Sequence, residues 1–285
     1  MKTQDQIAVR LYVRAREDFQ AMRKSMDSRM GVKADGKAQD LKEERYITPE
    51  DAANFGAIAL EARRNEKVIA KMLKETLKRF PIYTEWLSQV KGVGEIAAGW
   101  ILAEFDITKA DTVSKLWQYA GLNPGLVCGK SRVEAEKYKP EMGDKAVVFY
   151  DKKGKPEAYI VLTGKAIRGD KATPGFILPF NKRLRTALVG VLAPGFIKCQ
   201  SPYALDFYYP YKARLEQESN GVGSIGNKDE GKAWAGVSKG HRDNAARRYM
   251  IKMFLKDLYV AWRTIEGLPV RVPYAQEYLG KGHSG

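Results

Sequence analysis

Cysteine and histidine are scarce in this chain of 285 residues, which has two of each: Cys128, Cys199, His241 and His283. Two cysteines cannot build the disulfide framework that stabilises small secreted domains, and they cannot supply the thiolates of a structural zinc site. The sequence therefore predicts no metal site or other cofactor site made from these residues.

Long hydrophobic runs are also missing. Nowhere do 18 apolar residues follow one another, and the first 18 residues lack the unbroken apolar stretch of a signal peptide. These absences predict a cytoplasmic, nucleoid-associated protein with no membrane partner.

Acidic residues are too few to balance the basic ones. The chain has 34 Asp and Glu against 49 Lys and Arg, which gives a net charge of +15. An excess of this size is typical of proteins whose partner carries many phosphates, and here aromatic residues interleave with the basic ones. An anionic membrane surface or solubility alone would also account for the charge, and RNA fits it as well as DNA does.

The first 80 residues predict two long helices. Apolar residues recur at steps of three and four along the first of them: Ile7, Leu11, Ala15, Phe19, Met22 and Met26. A polar segment at 31–45 follows, and Thr48 and Pro49 then offer an N-cap and a first helical residue for a second helix that runs to about Arg79. We expect an antiparallel hairpin, a coiled coil through which the protein forms a homo-oligomer, although both helices could instead cover the main core.

A segment with a bend at two glycines follows at 84–105, in the sequence TEWLSQVKGVGEIAAGWILAEF. Two short helices with apolar faces, on either side of Gly92 and Gly94, predict a helix-hairpin-helix. The unpaired N–H groups at the start of its second helix would attract phosphate, and a lysine before the turn adds a full charge. The predicted DNA contacts here are Lys91, Gly92, Val93 and Gly94. The bend could equally close an ordinary pair of helices in a bundle.

Further basic residues occur on two later helices. Three of them crowd the first turn of a helix that Asn181 can cap, where the helix dipole disfavours them unless an outside anion compensates. On a last helix at about 241–266, a basic stripe lies beside the apolar face, and an arginine on that apolar face needs a carboxylate or a phosphate as partner. The predicted DNA contacts from these helices are Lys182, Arg183, Arg185, Arg247, Arg248 and Lys252. The basic stripe could also be an ordinary solvated face.

The stretch between the bend and these helices contains two β-rich runs. Ala146–Tyr150 and 158–162 flank a turn and predict one β-hairpin. The chain as a whole predicts a mainly α fold in two parts. These are a helical hairpin arm at 1–80 and a helix-hairpin-helix domain with one inserted β-hairpin at 81–285.

Three motifs from the bend onward carry a resemblance to a known family: Gly92-Val93-Gly94, Ala120-Gly121-Leu122-Asn123-Pro124 and Leu184-Arg185. Over about 83–199 the chain resembles the C-terminal domain of the insertion-sequence-110 family transposases. The resemblance implies part of a DNA recombinase. In that family a RuvC-like acidic domain and a coiled coil precede a helical domain that contributes a serine nucleophile.

The chain departs from that family in two places. Its first 80 residues predict helices and no strand that bears a catalytic Asp, so magnesium would be needed only if a separate RuvC-like partner supplied the acidic domain. The Ser-Gly of the family corresponds to Cys128-Gly129 here. Cys128 is a candidate nucleophile because nearby Lys130 and Arg132 favour its thiolate, and Ser131 is the second candidate.

The sequence therefore predicts a DNA-binding transposase or site-specific recombinase of a mobile element, with a guide RNA as a further candidate partner. Contacts to phosphates position a protein without reading bases, so we expect weak base specificity and steep salt dependence. The alternative is a non-catalytic structural or regulatory protein, derived from such a transposase, that binds DNA or RNA.

Overall fold

The part of the chain that the structure describes is mainly helical. The computed structural model describes residues 3–31, 47–122, 128–131, 146–150, 156–161, 176–177, 180–221 and 231–271. The chain divides into two compact units, Met1–Asp106 and Ile107–Gly285. The sequence predicted a division after residue 80. The structure divides later because the helix that follows the bend packs on the hairpin.

Two long helices form the hairpin of the first unit: α1 (Gln4–Arg29) and α2 (Pro49–Leu77). Before α1, the Thr3 hydroxyl accepts the Gln6 N–H at 3.2 Å and the Gln6 side chain accepts the Thr3 N–H at 3.1 Å, which is a capping box. Before α2, the Thr48 hydroxyl accepts the Asp51 N–H at 3.0 Å. Both predicted helices, and the predicted cap at Thr48, are confirmed.

Ion pairs show that α1 and α2 are antiparallel. Asp5, at the start of α1, lies 2.9 Å from Arg79, which follows α2, whereas Asp27, near the end of α1, lies 2.9 Å from Arg63 in the middle of α2. Asp27 is buried, so its carboxylate depends on this pairing. Apolar packing between the helices lies nearer the other end of the hairpin, where the buried residues include Val9, Val13, Leu73 and Leu77.

Two shorter helices complete the described part of the first unit: α3 (Pro81–Glu85) and α4 (Glu95–Glu104). α4 packs on both α1 and α2. The helices approach closely at Gly99, where an added Cβ would lie 3.0 Å from the side chains of Val13 and Leu73. Trp100 donates its indole N–H to Glu17 at 2.8 Å. The predicted hairpin arm is therefore the larger part of a three-helix packing that includes α4.

The helices of the second unit are arranged around the last of them. In chain order they are α5 (Val113–Tyr119), α6 (Lys182–Arg185, Thr186–Leu192 and Ala193–Lys198), α7 (Ala204–Tyr208 and Tyr209–Gln217) and α8 (Lys239–Ile265). Phe254 of α8 meets Phe196 of α6 edge-to-face, with ring centroids 5.4 Å apart, and meets Tyr203 in the same way at 5.5 Å. Leu258 and Trp262 continue this buried face along α8.

Polar bonds tie the start of α5 to α8. The Arg263 guanidinium donates to the carbonyl oxygens of Ile107 and Ala110 at 3.1 and 2.8 Å. The Tyr259 hydroxyl donates to the carbonyl oxygen of Asp111 at 2.7 Å. Arg263 and Tyr259 are both buried, so these bonds lie out of water and hold the loop before α5 in one place.

Four short strands lie between α5 and α6: β1 (Cys128–Ser131), β2 (Ala146–Tyr150), β3 (Pro156–Val161) and β4 (Phe176–Ile177). They form one sheet in the order β2-β3-β1-β4, and each pairing is antiparallel. β2 pairs with β3 from Ala146 opposite Val161 to Phe149 opposite Ala158. That these strands are an insertion in a helix-hairpin-helix domain stays a prediction.

Glycine ends α5 in a conformation that other residues rarely adopt. Gly121 has a φ of 66°, and the Leu122 N–H reaches back to the Trp117 carbonyl at 2.8 Å, as in a Schellman motif. The ring of Phe180 lies on Gly121, so that an added Cβ would be 2.5 Å from the ring. Glycine is therefore required where α5 ends.

Gly121→Ala should therefore destabilise the second unit. A left-handed backbone costs a residue with a Cβ about 1–2 kcal/mol, and here the Phe180 ring must also move. We expect the denaturant midpoint to fall. Gly190→Ala is the matched control, since its Cβ would meet nothing nearer than Thr186 at 3.8 Å, and it should leave the midpoint unchanged or higher. Equal effects of the two variants would contradict this account.

Candidate nucleic-acid interface

The glycine bend, at which phosphate binding is predicted, lies in the first unit. Lys91, Gly92 and Gly94 are exposed, and Gly92 has a φ of 100°, so this turn requires glycine. Val93 is buried, and its N–H donates to the Val90 carbonyl at 2.9 Å. One of the three N–H groups expected to meet a phosphate therefore already has an acceptor within the chain.

A carboxylate already occupies the start of the helix that follows the bend. Glu95, the first residue of α4, lies 2.8 Å from the Lys74 ammonium. This hydrogen bond from Lys74 lowers the pKa of Glu95, and a bond from the backbone N–H of Glu95 lowers it further. The sequence predicted that an external phosphate binds at this helix start. The carboxylate of Glu95 already supplies a negative charge there, and it would repel a phosphate bound at the bend.

The segment before the bend is not one regular helix. α3 ends at Glu85, Trp86 has φ −135° and ψ −60°, and a single 3₁₀ turn follows at Leu87–Gln89. Because Trp86 leaves the helical region of backbone angles, the helix predicted before Gly92 is broken in two. The helix-hairpin-helix geometry is therefore not supported by the described residues. Phosphate binding by Lys91, Gly92, Val93 and Gly94 stays a prediction.

In the second unit, basic residues begin α6 as predicted. The Asn181 side chain accepts the Leu184 N–H at 3.0 Å, which confirms the predicted cap. Lys182 and Arg183 are exposed at this helix start. The guanidinium of Arg185 lies over the ring of Phe180, 5.1 Å from its centroid.

Lys252 of α8 lies over the ring of Trp117 of α5. Its ammonium is 5.4 Å from the ring centroid, and the Trp117 indole N–H donates to the Lys252 carbonyl at 3.0 Å. Burial lowers the pKa of Lys252, and the positive charge of Arg248 lowers it further. Among the residues that the structure describes, no carboxylate forms an ion pair with Lys252.

α5 contacts both the start of α6 and α8. Asn181 donates its side-chain N–H to the Tyr119 hydroxyl at 3.1 Å and its backbone N–H to the Tyr119 carbonyl at 2.8 Å. The start of α6 therefore meets the end of α5, while Trp117 meets α8. We name this region the α5 surface, formed by Trp117, Tyr119, Phe180, Arg185, Arg248 and Lys252.

Arg247 has a partner inside the protein. Its guanidinium lies 2.8 Å from the carboxylate of Asp243, one turn earlier on α8. Asp243 also accepts a hydrogen bond from the buried Tyr208 hydroxyl and lies 3.7 Å from the Lys212 ammonium. Of the two partners that the sequence allowed for Arg247, the carboxylate is the one present, and Arg247 does not belong to the α5 surface.

The aromatic members of the α5 surface were missed as site residues. The sequence analysis gave no role to Trp117, Tyr119 or Phe180. A signal was available in the sequence, because aromatic side chains near clustered Lys and Arg are typical of nucleic-acid contacts. Which aromatic residue lies beneath which cation depends on how α5, α6 and α8 pack.

The two candidate nucleophiles lie on β1. Cys128 pairs with Val161 and Ser131 pairs with Ala158 across the ladder to β3. Which of the two acts as a nucleophile stays a prediction.

Among the described residues, neither a metal-binding group nor a membrane-spanning helix is found. Within the described ranges, no three or more His, Cys, Asp or Glu side chains are grouped so that they could hold a metal ion. No described helix combines the length and the apolar content needed to cross a membrane.

Comparison with models of known families, with curated proteins and with solved structures finds no match to this chain. The resemblance to insertion-sequence-110 transposases therefore rests on the three motifs given above.

The charge of Lys252 should reduce the stability of the free protein. Because burial and Arg248 lower its pKa in the folded state, the charged form costs stability at neutral pH, and stability should rise as pH rises through that lowered pKa. We expect Lys252→Met to raise the Tm at neutral pH, by an amount that shrinks with rising pH. Lys256→Met is the control, since Lys256 lies 3.6 Å from Asp257, and it should not raise the Tm. A lower Tm for Lys252→Met would contradict the account.

Proposed function

We propose that the protein binds the sugar-phosphate backbone of duplex DNA through the α5 surface. One observation carries the proposal. Lys252 is held partly out of water beside Arg248, a like charge, and no carboxylate of the described residues pairs with it. An arrangement that raises the energy of the free protein becomes favourable once a polyanion supplies the missing negative charge.

The cations and the aromatic rings of this surface support different contacts. Lys182, Arg183 and Arg248 offer donors to phosphate oxygens, which would give affinity without base specificity. Trp117 and Phe180 lie beneath Lys252 and Arg185, so that each ring holds a cation in a set position. We expect binding that depends steeply on salt and weakly on sequence.

The transposase character of the protein is part of the same proposal. It is supported by the three motifs shared with the insertion-sequence-110 family, one of which contains Gly121, the glycine that ends α5 beside the proposed contacts. A transposase of this type would include a helix-hairpin-helix domain with an inserted β-hairpin and would act as a homo-oligomer. A separate RuvC-like partner would supply any magnesium-dependent step, and one nucleophile on β1 would join the DNA strand.

Binding to duplex DNA tests the proposed surface. We expect Lys252→Met and Arg185→Met each to weaken binding and to reduce the slope of log affinity against log salt by about 1, because each removes one phosphate contact. Fluorescence anisotropy with a labelled duplex of mixed sequence, over a range of salt concentrations, measures both quantities. Lys256→Met is the matched control from the same helix, because Lys256 already has Asp257 within 3.6 Å.

Two results would contradict the proposed surface. One is a Lys252→Met variant whose salt slope equals that of the unaltered protein. The other is an equal loss of affinity in the Lys256→Met control, which would indicate a diffuse effect of net charge. Competition between the duplex and a structured RNA of the same length decides between DNA and RNA, and stronger competition by RNA would favour the alternative of an RNA-binding protein.

Strand transfer is tested by a covalent adduct. The DNA that the protein binds is first recovered by crosslinking in cells and sequencing, and it then serves as the labelled substrate. We expect an adduct, stable on a denaturing gel, that Cys128→Ala or Ser131→Ala abolishes, since the nucleophile remains joined to the DNA strand. Cys199→Ala is the control for loss of a thiol. If no adduct forms, the protein is a binding module.

A further inference from the structure

An apolar stripe of α1 faces away from the helices that pack against it. Ile7, Leu11 and Met22 are 50%, 62% and 45% exposed, whereas Val9 and Val13 are buried. At 100° per residue, the buried positions of α1 lie on nearly the opposite side of the helix from this stripe. The apolar period predicted for α1 is present, but much of it does not contact α2.

Leu11 and Met22 of the stripe belong to a seam with the spacing of a coiled coil. Positions three and four residues apart run along this face of α1: Ala8, Leu11, Ala15, Asp18, Met22 and Ser25. Such spacing keeps one line of side chains facing a partner helix over the whole length of α1.

The seam is nearly symmetric about its middle. If a second α1 runs antiparallel, with the two-fold axis midway between the levels of Arg16 and Glu17, Leu11 lies opposite Met22 and Ala8 lies opposite Ser25. Large residues then face large ones and small residues face small ones. This reciprocity is what an isologous contact between two copies of one surface requires.

Charge decides the direction of the two helices. Asp18 is exposed within the seam. Arg14 lies one turn before it and is also exposed, although its guanidinium is 3.9 Å from the carboxylate of the buried Glu104. In an antiparallel pair each Asp18 comes close to Arg14 of the other copy. In a parallel pair Asp18 would face Asp18, and like charges opposite one another destabilise a helix pair.

We propose that a second copy of this chain covers the stripe, with the two α1 helices antiparallel and Leu11 against Met22. The inference deepens the homo-oligomer proposed above and does not depend on the α5 surface. It assigns that oligomer an interface, a direction and a register.

The mass of the protein in solution tests the interface. Leu11→Glu combined with Met22→Glu places charges in the seam, and we expect the dissociation constant of the dimer, measured by analytical ultracentrifugation, to rise at least about tenfold. Leu60→Glu is the matched control, because Leu60 of α2 is 49% exposed and lies outside the seam. It should leave the dimer intact. A protein that is monomeric at every concentration, or a dimer that the double variant leaves unchanged, overturns the inference.

Crosslinking tests the direction. In a chain with Cys128→Ser and Cys199→Ser, the pair Leu11→Cys with Met22→Cys should give a disulfide-linked dimer, whereas Leu11→Cys alone should not. A crosslink through Leu11→Cys alone would show a parallel pair and would overturn the antiparallel register while leaving the oligomer in place.

The charge pair gives a second reading of the direction. We expect Asp18→Arg to weaken the dimer, because in an antiparallel pair the new arginine comes close to Arg14 of the other copy. In a parallel pair the change would only replace one contact between like charges by another. DNA affinity is measured on all these variants with a short duplex that one protomer can cover. A variant that no longer dimerises but keeps its DNA affinity would show that the dimer interface and the α5 surface are independent.

Discussion

The polar bonds that hold α5 against α8 determine what the second unit can do. Arg263 and Tyr259, both buried on α8, bind carbonyl oxygens in the loop just before α5. With the loop fixed, Trp117 has one position, beneath Lys252, and Tyr119 meets Asn181 at the start of α6. α5 therefore contacts two helices, α6 and α8, that are distant from each other in sequence.

The same packing keeps the positive charge of Lys252 in a position that lowers the stability of the folded protein. A lysine kept partly out of water beside an arginine is less stable than one paired with a carboxylate, and the lowered pKa of Lys252 expresses that cost. Arg247, on the same helix, shows the contrasting case, because Asp243 compensates its charge within the protein. Residues held at a cost to stability tend to lie at functional sites.

Charge compensation within the chain is also seen beside the glycine bend. A helix start favours an anion, and in α4 the carboxylate of Glu95 lies there with its own partner, Lys74. The sequence contained both residues, but Lys74 is on α2, and only the packing of α4 on the hairpin brings the two together. The sequence alone therefore did not show that the start of α4 already has a compensated carboxylate.

Local signals in the sequence determined the helices at both ends of the chain. Thr3 and Thr48 cap the first two, Gly121 ends α5, Asn181 caps α6, and the mainly α character follows from apolar periods of three and four residues. Each of these depends on residues within about one turn of helix, so a linear reading can find it.

Only the tertiary structure decided which face of each helix is covered and which charges are compensated. The stripe of Ile7, Leu11 and Met22 was recognised as one face of α1, yet it lies away from α2. Likewise, the sequence did not show that Arg247 pairs with Asp243 or that Lys252 lies over the ring of Trp117. The spacing of apolar residues along a helix predicts which residues share a face. The partner of that face depends on contacts between residues far apart in the chain, which propensity and spacing do not contain.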